Sequence, residues 1–370
     1  VECGLRRARV VFRIFAVVFF LYLFFVSIEL LGVSFRLSGK SFVEELIATT
    51  SDPLIGFMIG ILATSLVQSS SVTTSIVVGL VAGGALSIRG AIPIIMGANV
   101  GTTITNILVS LGHLSRREEF RRAFAGATAH DFFNLLTAAV LLPIEYHTRY
   151  LERLSSATSA LFLGGRGFTF TSPLKLIVSP VTDFFVHLAS GAPLLLVIPA
   201  FIFLFISLRY IVVFMRKLVL LRLEEFFHRY LFGNIILSML LGVIITAIIQ
   251  SSSVTTSLVV PMVGAGILTV EAIFPYTLGA NVGTTVTALL ASLVTGESTA
   301  VSVALAHLFF NISGILLFLP ISRIRRIPIA LAKKLGEKAA VSRKYAIIFV
   351  IGVFYIIPFT LILLRRLFLG

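Results

Sequence analysis

Eight residues, Gln68, Ser69, Ser70, Ser71, Val72, Thr73, Thr74 and Ser75, recur letter for letter from Gln250 to Ser257. Each copy lies in an apolar stretch, where six hydroxyls behind an amide are costly to bury unless they find partners. The run before the first copy, Pro53 to Val67, has 15 residues. As a helix it rises roughly 22 Å, short of a hydrocarbon core about 30 Å thick. The chain is therefore expected to enter a membrane, stop at the octet and return along Ile76 to Leu86. That is a re-entrant hairpin with Gln-Ser-Ser-Ser at its tip. Irregular backbone at membrane depth persists only when buried in protein or lining a wet cavity. The octets read as a site.

The duplication extends beyond the octet. At an offset of 182, Gly60 matches Gly242, Thr64 matches Thr246 and Pro93 matches Pro275. The heptapeptide Gly-Ala-Asn-Val-Gly-Thr-Thr occupies 97–103 and again 279–285. After a five-residue slip, His130, Phe132, Phe133 and Asn134 answer to His307, Phe309, Phe310 and Asn311. Interrupted helices at corresponding places in two halves point to a secondary transporter with its site between the repeats.

Hydrophobic residues make up 58% of the chain and charged residues 12%, which excludes an ordinary soluble domain and disorder alike. A net charge of +14 would suggest nucleic acid in a soluble protein. Here Arg and Lys fall in the breaks between apolar runs, as cytoplasmic loops require, so no nucleic-acid partner is expected. The single Cys3 excludes a disulfide framework and a Cys-rich metal site. Arg6, Arg7, Arg9 and Arg13 precede an apolar run to Leu31 that is too long for a signal peptide. It reads as a first crossing with its N-terminus inside.

The expected fold class is an all-α polytopic membrane protein of two inverted repeats, each with a re-entrant hairpin and a broken transmembrane helix. The first repeat covers 1–144, with a crossing at about 10–32, a hairpin at 53–87, a broken helix at 90–112 and a return at about 123–144. An interfacial helix is expected over Arg36 to Ser51, with Phe42 on its apolar side and a Ser41/Glu44 capping box. Asp52 before Pro53 and Asn234 in the second copy are N-caps. Residues 145–190, interrupted by Gly164, Gly165, Gly167, Pro173, Pro180 and Asp183, hold no span and form an external loop. The second repeat covers 191–320, with a crossing at 192–214, a basic amphipathic helix at 216–230, a hairpin at 234–268, a broken helix at 272–294 and a return at 300–320. A basic cytoplasmic segment and a final span fill 321–370. Three crossings between the octets, and arginines after the first broken helix but none from Val294 to Ser298, make the repeats inverted.

Ser, Thr, Gln and Asn donate or accept, half-helix N-termini suit an oxyanion, and carbonyls at half-helix C-termini suit sodium. No Lys or Arg lies within either octet or heptapeptide, so neutral donors would hold an anion with cations beside it. A serine hydrolase, with Ser69 to Ser71 as nucleophiles and His130 as base, lacks a G-x-S-x-G elbow and gives no reason for duplication. Metal hydrolysis lacks clustered His and carboxylate, and the heptapeptide lacks the lysine of a phosphate loop. The chain does not read as an enzyme. Asp131 stands alone: its counterpart is Leu308. A charged carboxylate at mid-membrane costs roughly 2.5–3.5 kcal/mol on insertion scales, so it marks a cation ligand or an ion pair with an Arg or His130.

The paired octets, the paired heptapeptides and the run from Arg122 to Asn134 resemble the type II sodium-coupled phosphate cotransporters over residues 10–366. The resemblance implies inward symport of divalent phosphate driven by sodium by alternating access. It gives Gln68, Ser69, Ser70, Ser71, Gln250, Ser251, Ser252, Ser253, Thr102 and Thr103 as phosphate ligands. Asp131, Asn134, Asn99, Gln68, Gln250, Ser251, Asn281, Thr284, Thr285 and Asn311 are the sodium candidates. Electrogenic members have aspartate where Asp131 stands. The partners implied are inorganic phosphate, co-transported sodium and membrane lipid, with no organic cofactor; a homo-oligomer is compatible with the sequence. The connecting loop is short and lacks cysteines, which points to a prokaryotic inner (plasma) membrane. The N-terminus is placed inside and the C-terminus outside, with Arg365 and Arg366 on an unexpected side. Another oxyanion, phosphate export, or a channel or scaffold role are the alternatives.

Overall fold

A computed structural model describes residues 2–38, 44, 46–48, 50–163, 172–189, 192–219 and 234–369. The expected capping box at Ser41, the apolar face at Phe42, the glycines 164–167 and most of the amphipathic segment 216–230 lie outside the described residues. In the first half the helices are α1 (Glu2–Leu37), α2 (Pro53–Val67), α3 (Ser70–Ala82), α4 (Ile88–Gly101), α5 (Ile104–Ser110) and α6 (Arg117–Thr148). Two helices connect the halves, α7 (Tyr150–Leu163) and α8 (Pro173–Leu188). The second half holds α9 (Pro193–Val219), α10 (Ile235–Ile249), α11 (Ser252–Ser257), α12 (Val260–Gly264), α13 (Val270–Thr295) and α14 (Ser298–Phe318). Then come α15 (Ser322–Val341), α16 (Lys344–Ile351), a π-helical turn at Gly352–Ile356 and α17 (Ile357–Leu369). Among the described residues, 7 helices are long and apolar enough to cross a membrane, while α2, α3, α10 and the α11–α12 arm are shorter.

Each octet turns the chain between two short helices. Gln68 ends α2 in the left-handed region at φ 57°, and Gln250 ends α10 at φ 63°. Ser69 and Ser251 then cap the next helix, accepting from Val72 N and Val254 N. At the other ends, Asp52 Oδ1 accepts from Leu54 N and Asn234 Oδ1 from Ile236 N, at 2.8 and 2.9 Å. Asp52 Oδ2 also pairs with Arg365 at 2.7 Å, which gives that arginine its place. Asp52→Ala should lower thermal stability by the cap, about 1 kcal/mol, plus the pair. Arg365→Ala loses only a solvent-screened pair worth less than about 1 kcal/mol. Equal melting temperatures for the two variants would show that the cap contributes nothing.

The two halves are interleaved. Helix α3 packs on α1 and α4 of its own half and on α13 and α14 of the other, and α11 and α12 pack on α5 and α6. Helices α1 and α9, which precede the two hairpins, lie side by side and run antiparallel. Arg13 near the start of α1 donates to Lys217 O near the end of α9 at 3.1 Å, and Ser34 donates to Pro193 O at 2.9 Å.

Three expectations are corrected. Helix α4 passes through Gly97 and Gly101 and is interrupted only at Thr102–Thr103, while the identical heptapeptide at 279–285 lies in the unbroken α13. The glycines are there for close packing. A methyl at Gly97 would sit 2.0 Å from Phe57 O on α2, and one at Gly279 would sit 1.9 Å from Met239 O on α10. The second half is broken elsewhere, between α11 and α12, because Pro261 cannot donate to Ser257 O and its ring crowds that carbonyl. Residues 145–190 are largely helical, since α6 runs to Thr148 and α7 and α8 follow; α8 lies against α1 and α13.

Candidate substrate site

The octet turns meet. Ser71 Oγ donates to Gln250 O at 3.2 Å, and Ser253 Oγ donates to Thr102 O at 3.4 Å. Within the first half Thr102 Oγ1 donates to Ser70 Oγ at 2.9 Å. In the second, Thr287 Oγ1 donates to the Gln250 side-chain oxygen at 2.7 Å. Ser70, Ser71, Ser252 and Ser253 are buried, while Gln68 is exposed and Ser69, Gln250 and Ser251 are half-buried. The deeper hydroxyls satisfy themselves against the preceding turn, Thr74 on Ser70 O at 2.8 Å and Thr256 on Ser252 O at 2.7 Å. This is how an apolar segment carries most of its six hydroxyls; in the first copy the buried Ser75 Oγ has no partner among the described residues.

A cavity of about 520 Å³ reaches the paired turns, touching Ser69, Ser71, Gln250 and Ser251. Its opposite wall is α9, with Arg209 and Arg216. Neither arginine is marked by the octet or heptapeptide patterns. Asn106, which accepts from Thr256 Oγ1 at 2.9 Å, and Tyr276, which donates to Thr255 O at 3.3 Å, also join the site without a motif to announce them.

Behind the turns lies a buried polar layer with reciprocal bonds. His130 Nε2 meets Asn281 Oδ1 at 2.6 Å, and His307 Nε2 meets Asn99 Oδ1 at 3.4 Å. Asn281 Nδ2 donates to Asn134 Oδ1 and Asn99 Nδ2 to Ile95 O, so both amide oxygens accept and each histidine carries its proton on Nε2. The exchange of partners between matching positions is what a two-fold relation between the halves produces.

That relation fails at Asp131, which is 0% exposed. Thr103 Oγ1 contacts both Val100 O and Asp131 Oδ1, and Asp131 Oδ2 has no partner among the described residues. His130 bonds to Asn281 rather than to Asp131, so the ion-pair alternative with that histidine finds no support in the geometry. The interruption at Thr102–Thr103 belongs to the same asymmetry. Thr103 N bonds to Val100 O, and the freed Asn99 carbonyl accepts instead from Asn134 Nδ2 at 2.8 Å. In the second half Leu308 replaces the carboxylate. There Thr284 and Thr285 donate to their own helix at Ala280 O and Val282 O. Asn311 Nδ2 bonds back to His307 O, leaving its buried Oδ1 without a partner among the described residues. Of the expected sodium ligands, Asn134, Asn99 and Asn281 are joined by hydrogen bonds, Asp131 bonds to Thr103, and Thr284 and Thr285 donate within their own helix. Among the described residues, no group of three or more His, Cys, Asp or Glu could hold a metal ion.

The profile of the Na+/Pi-cotransporter family matches residues 23–165 and 186–333, covering both turns and the polar layer. The chain belongs to this family. It is 34% identical over 445 aligned positions to human sodium-dependent phosphate transport protein 2B, covering 94% of this chain and 64% of that protein. It is 34% identical over 435 positions to protein 2A of Ovis aries, covering 96% of this chain and 68% of that protein. The chain thus spans less than two thirds of the human relative's length. No solved structure matches it. Nothing in the family match supports the hydrolase alternative.

Proposed function

We propose that this chain is a secondary transporter that moves inorganic phosphate with sodium across the plasma membrane, holding the anion at the paired turns. The observation that carries this reading is the meeting of Ser71 with the Gln250 carbonyl beside one shared cavity. Two helices begin there, α3 and the α11–α12 arm, each with serines in its first turn. The N–H groups and hydroxyls of these first turns suit an oxyanion. Asp131 and Thr103 offer oxygen to a sodium ion behind them. The names of the relatives support phosphate and sodium as the cargo.

The antiparallel pairing of α1 with α9 and the reciprocal His–Asn bonds support inverted repeats, with the two hairpins entering from opposite faces. Inverted twin hairpins around one site are what alternating access uses. Arginines 9 and 13, with the basic helix α15, support a cytoplasmic N-terminus of α1.

Uptake of labelled phosphate into proteoliposomes, with and without an inward sodium gradient, tests the reading. Ser70→Ala and Ser252→Ala should each impair sodium-driven uptake while leaving membrane insertion intact. Each removes a hydroxyl worth about 0.5–1.5 kcal/mol net, and more where it leaves a buried partner unpaired. Wild-type uptake in both variants would overturn a shared site at the turns.

A further inference from the structure

The octets and heptapeptides contain no positive charge, yet the cavity that reaches them has one wall of arginine. Arg209 and Arg216 lie seven residues apart on α9, so they share one face and rise about 10 Å along it. Both line the cavity that ends on Ser69, Ser71, Gln250 and Ser251, and no Asp or Glu among the described residues lines it. Arg216 is three residues from the last residue of α9 and within reach of a membrane surface. Arg209 is ten residues from that end, roughly 15 Å at 1.5 Å per residue. An arginine so deep in an apolar span faces a protein interior or a watered path, where its charge has a use.

The duplication makes this wall one-sided. At the octets' offset of 182, Arg209 and Arg216 correspond to Ser27 and Ser34. Those serines are buried and bonded to Phe24 O at 2.6 Å and Pro193 O at 2.9 Å. The face of α1 that matches the arginine face of α9 is neutral packing surface.

We propose that Arg209 is a direct ligand of the transported oxyanion when the cavity is open, and that Arg216 draws the anion along the same wall. This rests on the turns being the oxyanion site. A guanidinium supplies paired donors and a fixed charge that the serines and glutamine cannot, and a single-sign cavity concentrates the opposite ion.

The test measures phosphate uptake by the full chain in proteoliposomes, with sodium saturating. Arg209→Gln should raise the phosphate KM about tenfold with little loss of maximal rate, because a charge-assisted contact is removed. Arg209→Lys should recover part of the affinity by keeping the charge without the fork. Arg216→Gln should raise the KM about threefold for phosphate presented to the cytoplasmic face alone, an effect that shrinks at high ionic strength. The sodium dependence should not move in any of them. If Arg209→Gln does not reach the membrane, Val213→Glu places a carboxylate on the same wall and should raise KM in the same way. A wild-type KM in Arg209→Gln, or in Val213→Glu, overturns the inference and leaves the transport reading standing. A fall in maximal rate alone, equal in the Gln and Lys variants, shows a packing role and overturns it too. Wild-type protein that takes up no phosphate overturns the transport reading itself, and this inference with it.

Discussion

Replacing Asp131 with glycine should leave phosphate uptake measurable while abolishing the current that accompanies it. Moving one elementary charge through 100 mV is worth ~2.3 kcal/mol. A divalent phosphate entering a negative interior therefore loses ~4.6 kcal/mol, and two sodium ions recover about that amount. Only a further cation makes the cycle electrogenic. Asp131 is the candidate for its ligand, because it is the carboxylate of the buried layer, its Oδ2 has no partner among the described residues, and its counterpart is Leu308. Glycine at 131 removes that oxygen and leaves the paired turns untouched. Voltage-clamped membranes with simultaneous tracer uptake give charge per phosphate, which should fall to zero with one fewer sodium moved per cycle. An inward current still proportional to phosphate uptake in Asp131→Gly would remove Asp131 from that role.

Gly97→Ala should destabilise the fold as strongly as any single methyl in this chain. Its Cβ would stand 2.0 Å from Phe57 O and 2.9 Å from Ile61 N, both backbone atoms that no rotamer change can withdraw. Helices α2 and α4 would have to separate, and overpacking that moves backbone costs about 3 kcal/mol or more. Gly279→Ala meets Met239 O at 1.9 Å and should behave alike. Gly112→Ala is the control, since nothing lies within 4 Å of its added methyl. Size-exclusion profiles of detergent-solubilised protein after a temperature ramp should show early loss of the Gly97 and Gly279 variants only. Wild-type thermal behaviour of Gly97→Ala would mean that the close helix crossing is absent in solution.

The sequence by itself determined the class of fold and the place of the turns. A polar octet repeated within apolar runs too short to cross a bilayer permits few structures, and Asp52 and Asn234 mark where each hairpin begins. It also singled out Asp131, because a duplication makes any unmatched charge visible. What the heptapeptides do was decided by tertiary structure. In a linear reading, glycine and asparagine weaken a helix; in the fold, the same glycines let two backbones touch, and their helix continues. A residue opposite differs between the copies: Asp131 accompanies the interruption at Thr102–Thr103, while Leu308 accompanies the continuous α13. Pro261 was visible and breaks the second arm, at the position where the first has Gly79. No pattern in the sequence marked Arg209, inside the crossing at 192–214, or Arg216, at the start of the basic segment 216–230. In the fold both line the cavity that reaches the paired turns. Periodicity and repetition are local properties that a chain carries in its letters. Which face of one helix meets which turn of another depends on non-local packing, and that is fixed only when all the helices are assembled.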